Sequence, residues 1–229
     1  MDLPIKNIPI TRMDSATSPP AKSKRRRISS QDFIWENNSI PSTPSMNSAP
    51  ISPQNYLRKL FQSRDIHISI TPVSSLQNYF RNPNDKDYSS YQEDVVKALR
   101  ARDIETLHQM LKEGRSLQCC NRFGESLFHM ACRRSYDDVV QFLINEGVSP
   151  KIKDDLDRTP MHDAFWTAKP NFKLVKTLIM NEPLLLFLSD KRGHTPLDYA
   201  RKNDWHRWVE FLSSNVDLLI DLYLKCRLT

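Results

Sequence analysis

The chain has 229 residues, of which 39% are hydrophobic and 26% are charged, and its formal net charge is +6. This composition predicts a globular portion of one or two domains. Four cysteines are few for a disulfide scaffold of this length. No apolar run approaches the ~18 residues of a membrane helix, and the N-terminus lacks the apolar core of a signal peptide. We therefore expect an intracellular chain with reduced thiols, in the cytoplasm or nucleus.

The positive charge is concentrated in the N-terminal third of the chain. Residues 1–85 contain 11 Lys and Arg against 6 Asp and Glu, whereas residues 86–229 contain 22 against 21. The first segment also holds ten of the fifteen prolines, many serines and asparagines, and no glycine. Such a segment buries too little apolar surface to offset the entropy that ordering would cost, so a disordered tail is predicted over residues 1–85.

Within this tail, Lys22 to Ser30 reads KSKRRRISS. A block of basic residues in a disordered segment is typical of a nuclear-import signal or a nucleic-acid contact, and it favours the nucleus. Ser29 and Ser30 closely follow the arginines, which suits a basic-directed kinase, and phosphate there would weaken an electrostatic partner. A merely solvated tail is the alternative explanation. The basic patch comprises Lys22, Lys24, Arg25, Arg26 and Arg27.

Two short stretches of the tail carry periodic apolar residues. Tyr56, Leu57, Leu60 and Phe61 fall on one side of a helix, and the alternation in Ile66 to Ile70 suits a short strand or an extended peptide. Either stretch could pack on the folded part of the chain or remain a binding peptide.

Beyond the tail, the pattern becomes helical and repeats itself. Ala98, Ala131, Ala164 and Ala200 are separated by 33, 33 and 36 residues, and the phrases KEG, NEG and NEP show spacings of 33 and 36. The extra three residues of the last interval must therefore lie between Ala164 and the helix that follows it, in the turn WTAKPNF.

The repeat also carries a shared phrase. It reads DRTPMHDAFW at Asp157–Trp166, GHTPLDYA at Gly193–Ala200, and more loosely GESLFHMA at Gly124–Ala131. A period of 33 residues with a T-P-L-H-x-A phrase resembles the ankyrin repeat, a turn followed by two antiparallel helices. The resemblance covers about residues 88–213, and it implies an all-α, helix-pair solenoid behind the disordered tail.

Each letter of the phrase has a physical reason. Thr159 and Thr195 can cap a helix N-terminus, and the proline after each needs no N–H at the first helical position. One helix pair cannot hide its apolar face alone, so stacking of successive units completes a core. We expect repeats over residues 86–214, with units near 88–120, 121–153, 154–189 and 190–214, followed by a C-terminal capping segment at 215–229.

Enzymatic and metal sites are weighed against structural roles. Cys119, Cys120, His129 and Cys132 lie close in sequence, but their spacing does not match a zinc template. The ankyrin resemblance assigns His129 and His162 to hydrogen bonds that tie a helix to the adjacent turn. No nucleophile motif, phosphate loop or HExxH stretch is present. We expect no catalytic residue, no metal and no cofactor.

The resemblance implies that partners bind the turn tips and the first helix of each unit. Carried onto this sequence, these positions form a locally basic face with two aromatic anchors, which suits an acidic protein segment with an apolar anchor. Glutamates at 133 and 134 would then abolish binding without changing stability. The alternative is that these arginines are only solvated residues of an exposed face and bind no partner. The expected partner-binding residues are Arg100, Arg122, Met130, Arg133, Arg134, Asp163, Trp166, Tyr199 and Lys202.

The sequence therefore predicts a monomeric, non-enzymatic protein–protein interaction module, an adaptor or scaffold, that does not enter membranes. The alternative is a nuclear, nucleic-acid-associated regulator that contacts phosphates through the basic patch alone. An enzyme whose site is assembled from distant residues is a second alternative.

Overall fold

The computed structural model of the chain describes residues 50–76 and 78–228, and these residues are mostly helical. Most of the predicted tail lies outside the described residues. The α-helices are α1 (Pro53–Gln62), α2 (Asp85–Ser90), α3 (Glu93–Ala101), α4 (Ile104–Lys112), α5 (Leu127–Arg133), α6 (Asp137–Asn145), α7 (Pro160–Phe165), α8 (Phe172–Asn181), α9 (Trp205–Ser214) and α10 (Val216–Leu228). The 3₁₀ helices span Val73–Ser75, Pro183–Phe187, Pro196–Tyr199 and Lys202–Asp204, and the strands are β1 (Thr71–Pro72) and β2 (Leu188–Ser189).

The helices form four successive pairs, as the period predicts. The first three units are α3–α4, α5–α6 and α7–α8, and the fourth joins the 3₁₀ helix Pro196–Tyr199 to α9. Ala98, Ala131, Ala164 and Ala200 are all buried, each on or directly after the first helix of its unit. The predicted helix-pair solenoid is therefore confirmed.

Capping boxes start the first helix of units two, three and four. In each, the side chain three residues on accepts a hydrogen bond from the backbone N–H of the cap residue. His129 accepts from Ser126 at 3.3 Å and His162 from Thr159 at 3.1 Å. In the fourth unit, an Asp198 oxygen accepts from the N–H of Thr195 at 2.8 Å. The predicted cap positions are thus the observed ones.

The three-residue insertion lies in the turn where the sequence placed it. Residues 134–136 connect α5 to α6, whereas residues 166–171 connect α7 to α8. A turn between paired helices absorbs this length without altering the stacking of the units.

Helix α1 closes the last unit. It packs against α9 and the 3₁₀ helix Pro196–Tyr199, and its Leu57 and Phe61 are fully buried. The Phe61 ring lies 5.4 Å from that of Tyr223 in α10, edge to face. The helix indicated by the apolar spacing of these residues is thus present, and it packs on the repeats.

The remaining residues before α2 run back along the repeats. Strand β1 pairs in parallel with β2, with Thr71 opposite Leu188, and the N–H of Arg81 donates to the carbonyl of Lys151 at 2.9 Å. We call residues 50–84 the N-terminal strap. The sequence assigned this segment to the tail because it is polar, but its few apolar residues pack against distant units. The β1–β2 pair also departs from a strictly all-α fold, and residues 66–70 form no strand.

The C-terminal helix α10 packs against α9 and the 3₁₀ helix Pro183–Phe187, and it buries Leu219 and Tyr223. The last unit is therefore covered by both α1 and α10.

Candidate functional site

Three equivalent turns, the tips, precede the first helices of units two, three and four. Each is organised by one side chain, from Asn121, Asp154 or Asp190, whose Oδ1 accepts from the amides two and four residues on. For Asp154 these donors are Leu156 at 3.0 Å and Arg158 at 2.8 Å. The carboxylate or amide oxygen thus satisfies two backbone donors that would otherwise lack partners in a tight turn.

Each tip also contains a residue in the left-handed region, at Gly124 (φ +77°), Asp157 (φ +58°) and Gly193 (φ +81°). At Gly124 a Cβ atom would come within 2.5 Å of the Lys153 carbonyl oxygen, so only glycine fits there. Aspartate tolerates this conformation better than most residues, and Asp157 accepts from Lys153 Nζ at 2.8 Å.

Hydrogen bonds join successive tips into a ladder. The N–H of Asp155 donates to the carbonyl of Phe123 at 2.8 Å, and that of Lys191 donates to the carbonyl of Leu156 at 3.1 Å. Lys191 Nζ also donates to the Asp155 carbonyl at 2.6 Å. The relative positions of the three tips are therefore held by the backbone itself.

The two repeat histidines connect each first helix to the following tip. His129 Nε2 lies 3.0 Å from the carbonyl oxygen of Arg158, and His162 Nε2 lies 3.2 Å from that of His194. Burial lowers the pKa of His162 to about 4, so its ring is neutral at physiological pH. These contacts are the structural hydrogen bonds that the resemblance implied.

The tips expose two large apolar side chains next to each other. Phe123 is 46% exposed and Leu156 is 40% exposed, at equivalent positions of adjacent tips. The Arg122 guanidinium lies 4.8 Å from the centre of the Phe123 ring, and Lys191 and Arg192 are exposed on the third tip. We call Arg122, Phe123, Leu156, Lys191 and Arg192 the tip surface.

The partner-binding residues predicted from the sequence include Arg122 of the tip surface but not its apolar residues, Phe123 and Leu156. The available signal was an apolar residue immediately before the left-handed position, where a solvated turn would carry a polar one. In the last tip the equivalent residue is Arg192, a charged residue of the kind expected in a solvated turn.

Tyr199 contributes to the last tip and is only half exposed. Its hydroxyl donates to Asp190 Oδ2 at 2.6 Å, and Arg192 donates to the Tyr199 hydroxyl at 3.0 Å. Burial disfavours the charged form of Asp190, but hydrogen bonds from Tyr199 and from two backbone amides outweigh it and lower the pKa of this carboxyl. A partner could touch only the rim of this tyrosine.

Three predicted partner-binding residues are engaged within the fold. Met130 and Asp163 are buried because α5 and α7 pack directly against each other, so the prediction that they contact a partner is wrong. Arg133 donates to Glu125 and to Asp163, both at 2.7 Å. Glutamate at position 133 would place three carboxylates together, so the expectation that stability would not change also fails.

The remaining predicted residues lie at or near the C-terminal ends of the first helices. Arg100 and Arg134 are exposed, Trp166 is half exposed, and Lys202 Nζ lies 5.9 Å from the ring centre of Trp205. The Trp166 ring lies 6.3 Å from that of Tyr199, so the structure brings these two predicted residues together. The basic patch and the candidate phosphorylation sites Ser29 and Ser30 lie outside the described residues.

The cysteines of the repeats are unsuited to nucleophilic chemistry. Burial raises the pKa of Cys119 to about 12 and that of Cys120 to about 11, and it also raises that of Cys132. Thiols of this kind stay protonated and behave as small apolar side chains. Over residues 50–76 and 78–228, no three His, Cys, Asp or Glu side chains are grouped as metal ligands would be.

A family model describing ankyrin repeats, in three copies, matches residues 95–183. This match agrees with the helix pairs, the capping boxes and the stacked tips of these residues. Residues 95–183 of the chain are therefore ankyrin repeats. The matched range ends before the fourth unit, whose first helix is the single 3₁₀ turn, and it excludes the N-terminal strap.

Curated relatives agree with this assignment. The chain is 34% identical over 77 residues to a probable 26S proteasome regulatory subunit p28 of Saccharomyces cerevisiae, covering 34% of this chain and 33% of that protein. It is 25% identical over 166 residues to a putative ankyrin repeat protein of Rickettsia bellii, covering 72% and 90% respectively. A mitochondrial disaggregase of Bos taurus is 24% identical over 164 residues, covering 55% of this chain and 23% of that protein. The chain thus spans a third or less of the yeast and bovine relatives.

Ankyrin repeats are protein–protein interaction modules, and the family is generally non-catalytic. In the described part of the chain, every helix is too short or too polar to cross a membrane. The geometry offers an exposed surface built from stacked tips.

Proposed function

We propose that this protein is a non-enzymatic adaptor that captures an acidic segment of a protein partner on the tip surface. The observation that supports this is the pairing of Phe123 and Leu156. Both side chains stay exposed although the ladder holds their backbones rigidly side by side. Large apolar groups exposed next to each other on a fixed frame are typical of interaction sites.

The surrounding charges define the chemistry of the partner. Arg122 lies on one side of the apolar pair, and Lys191 and Arg192 lie on the next tip. Burial of the Phe123 and Leu156 side chains would supply affinity at roughly 25 cal/mol per Å² of apolar area. The cations would accelerate association with an acidic segment and select against basic ones. A rigid tip surface loses little entropy on binding, which favours affinity further.

The apolar pair can be tested with a photo-crosslinking amino acid. Placed at position 123, it should crosslink a partner in cell extract, and the crosslink should be lost when Leu156→Ser is added. The matched control places the same amino acid at Met180, which is 54% exposed on α8. Equal labelling of one partner from both positions would contradict the proposal.

The charge complementarity has a separate test with the captured partner. Arg122→Glu should slow association about tenfold at low salt, with a smaller effect at high salt. Arg58→Glu, an exposed arginine on α1, makes the same change in net charge at a distant place. An equal loss with both variants would show that only the overall charge matters.

A monomeric state, an intracellular location favouring the nucleus, and nucleic-acid contact through the tail remain predictions from the sequence.

A further inference from the structure

The insertion in unit three creates a cleft at the end of the molecule away from the tips. The longer turn, residues 166–171, lies beside the shorter turn of unit two. Between them lies a cleft of about 550 Å³, lined by residues 133–135 and 168–173. Asn171 Nδ2 donates to the Ser135 carbonyl at 3.2 Å and joins the two walls.

Four cations line the cleft, and two of them are already neutralised. Arg133 is paired with Glu125 and Asp163, and Lys173 Nζ donates to Asp137 at 2.6 Å. The side chains of Arg134 and Lys169 make no hydrogen bond or ion pair with another residue of the described ranges, 50–76 and 78–228.

These two free cations come from different walls. Arg134 directly follows the last residue of α5, and Lys169 lies in the inserted turn. The Lys169 backbone is held in turn by the Thr167 hydroxyl, which donates to the Lys169 carbonyl at 2.8 Å. An anion in the cleft can therefore be approached by a guanidinium from one side and an ammonium from the other.

We propose that this cleft binds a phosphorylated side chain of a protein ligand, independently of the tip surface. A phosphate group carries ~−1.5 to −2 charges at pH 7 and three acceptor oxygens, which two free cations match. A carboxylate carries a single charge and would leave one cation uncompensated. The arginine can donate two parallel hydrogen bonds to phosphate while the lysine acts as a point charge. A nucleic-acid strand would require many more phosphate contacts than this pair offers.

The test uses the full chain and the pentapeptide acetyl-Ala-Ala-phosphoserine-Ala-Ala-amide, followed by NMR titration of backbone amides. The proposal expects shifts confined to residues 133–136 and 167–173, and binding at least tenfold tighter than that of the serine peptide. Arg134→Ala with Lys169→Ala should weaken phosphopeptide binding at least tenfold. The matched control, Arg58→Ala with Lys59→Ala, removes one exposed arginine and one exposed lysine from α1 and should leave binding unchanged.

Three results would overturn the proposal. One is equal binding of the phosphoserine and serine peptides, and another is equal weakening by the α1 control pair. The third is tighter binding of a ten-nucleotide uridine RNA than of the phosphopeptide at the same residues, which would assign the cleft to nucleic acid. Because both side chains are exposed, the urea midpoint of the cleft variant should match that of the wild type, and this measurement separates lost binding from lost folding.

Discussion

The third and fourth repeat units begin with the same residues and continue differently. Thr159-Pro160 and Thr195-Pro196 both start a capping box, but the first leads into α7 and the second into a single 3₁₀ turn. Helix α7 lies between α5 and that 3₁₀ turn, whereas the 3₁₀ turn is covered by α1. The same cap residues thus determine where a helix begins but not how far it continues.

The largest expected effect on stability comes from weakening the packing of the N-terminal strap against the fourth unit. Phe61 is fully buried between Phe187 and Tyr223. Phe61→Ala should lower the free energy of unfolding by about 3–5 kcal/mol, because it leaves a cavity in the core. Urea denaturation measures the loss, and hydrogen exchange should locate it in α9 and α10 before α5 and α7.

Phe123→Ala is the matched control for that measurement, because it deletes the same ring from an exposed position. It should change the free energy of unfolding by no more than about 0.5 kcal/mol. If the two variants were equally stable, the strap would not support the fourth unit.

The next effect is a pH dependence of the free energy of unfolding, about 2 kcal/mol in size, that arises from His162 in unit three. His162 in unit three is replaced by Asp198 in unit four. Burial lowers the pKa of His162 to about 4 from the ordinary value of 6.5. Below pH 6.5, His162 binds a proton in the unfolded chain, whereas in the folded chain it stays neutral until the pH approaches 4. The stability it contributes is therefore complete above pH 6.5 and lost as the pH falls toward 4.

The measurement compares urea unfolding of the wild type and His162→Gln at pH 7 and pH 4.5. Glutamine can still close a capping box, so the variant should fold, with less stability at pH 7 and a weaker fall on acidification. His67→Gln, at an exposed position of the strap, should follow the wild type. If the free energy of unfolding fell by the same amount between pH 7 and pH 4.5 in the wild type and in His162→Gln, His162 would not be the source of the pH dependence.

The smallest effect compares the two cap threonines directly. Thr159→Ala should cost about 1 kcal/mol for the lost cap. Thr195→Ala should cost about 1 kcal/mol more, because the Thr195 hydroxyl also lies 2.8 Å from buried Gln54 Oε1 in α1, which would lose its partner. Equal losses in thermal or urea unfolding would mean that the hydrogen bond to the strap contributes nothing.

The repeats were predictable because their signals are local. The cap threonines and the insertion after Ala164 depend on residues close together in the chain, and the alanine spacing recurs at a nearly constant interval of 33–36 residues. The helix around Leu57 could be predicted for the same reason.

The course of the N-terminal strap and the composition of the tip surface could not be predicted from the sequence. Nothing near Thr71 in the sequence indicates that its strand pairs with Leu188, since that pairing joins residues more than a hundred positions apart. Likewise, the sequence placed Asp163 on an exposed face, whereas the packing of α5 against α7 buries it. The exposed pair Phe123 and Leu156 becomes a surface only because the ladder stacks two tips.

The strap also sets an order of events during synthesis. Tyr56 Oη lies 2.5 Å from Ser213 Oγ, although the two residues are 157 positions apart. At 5–20 residues per second, α1 is translated roughly 8–30 s before α9 is complete. Closing so long a loop is slow even afterwards. During this interval Leu57 and Phe61 lack their native partners in α9 and α10, so the nascent chain exposes two large apolar side chains to chaperones.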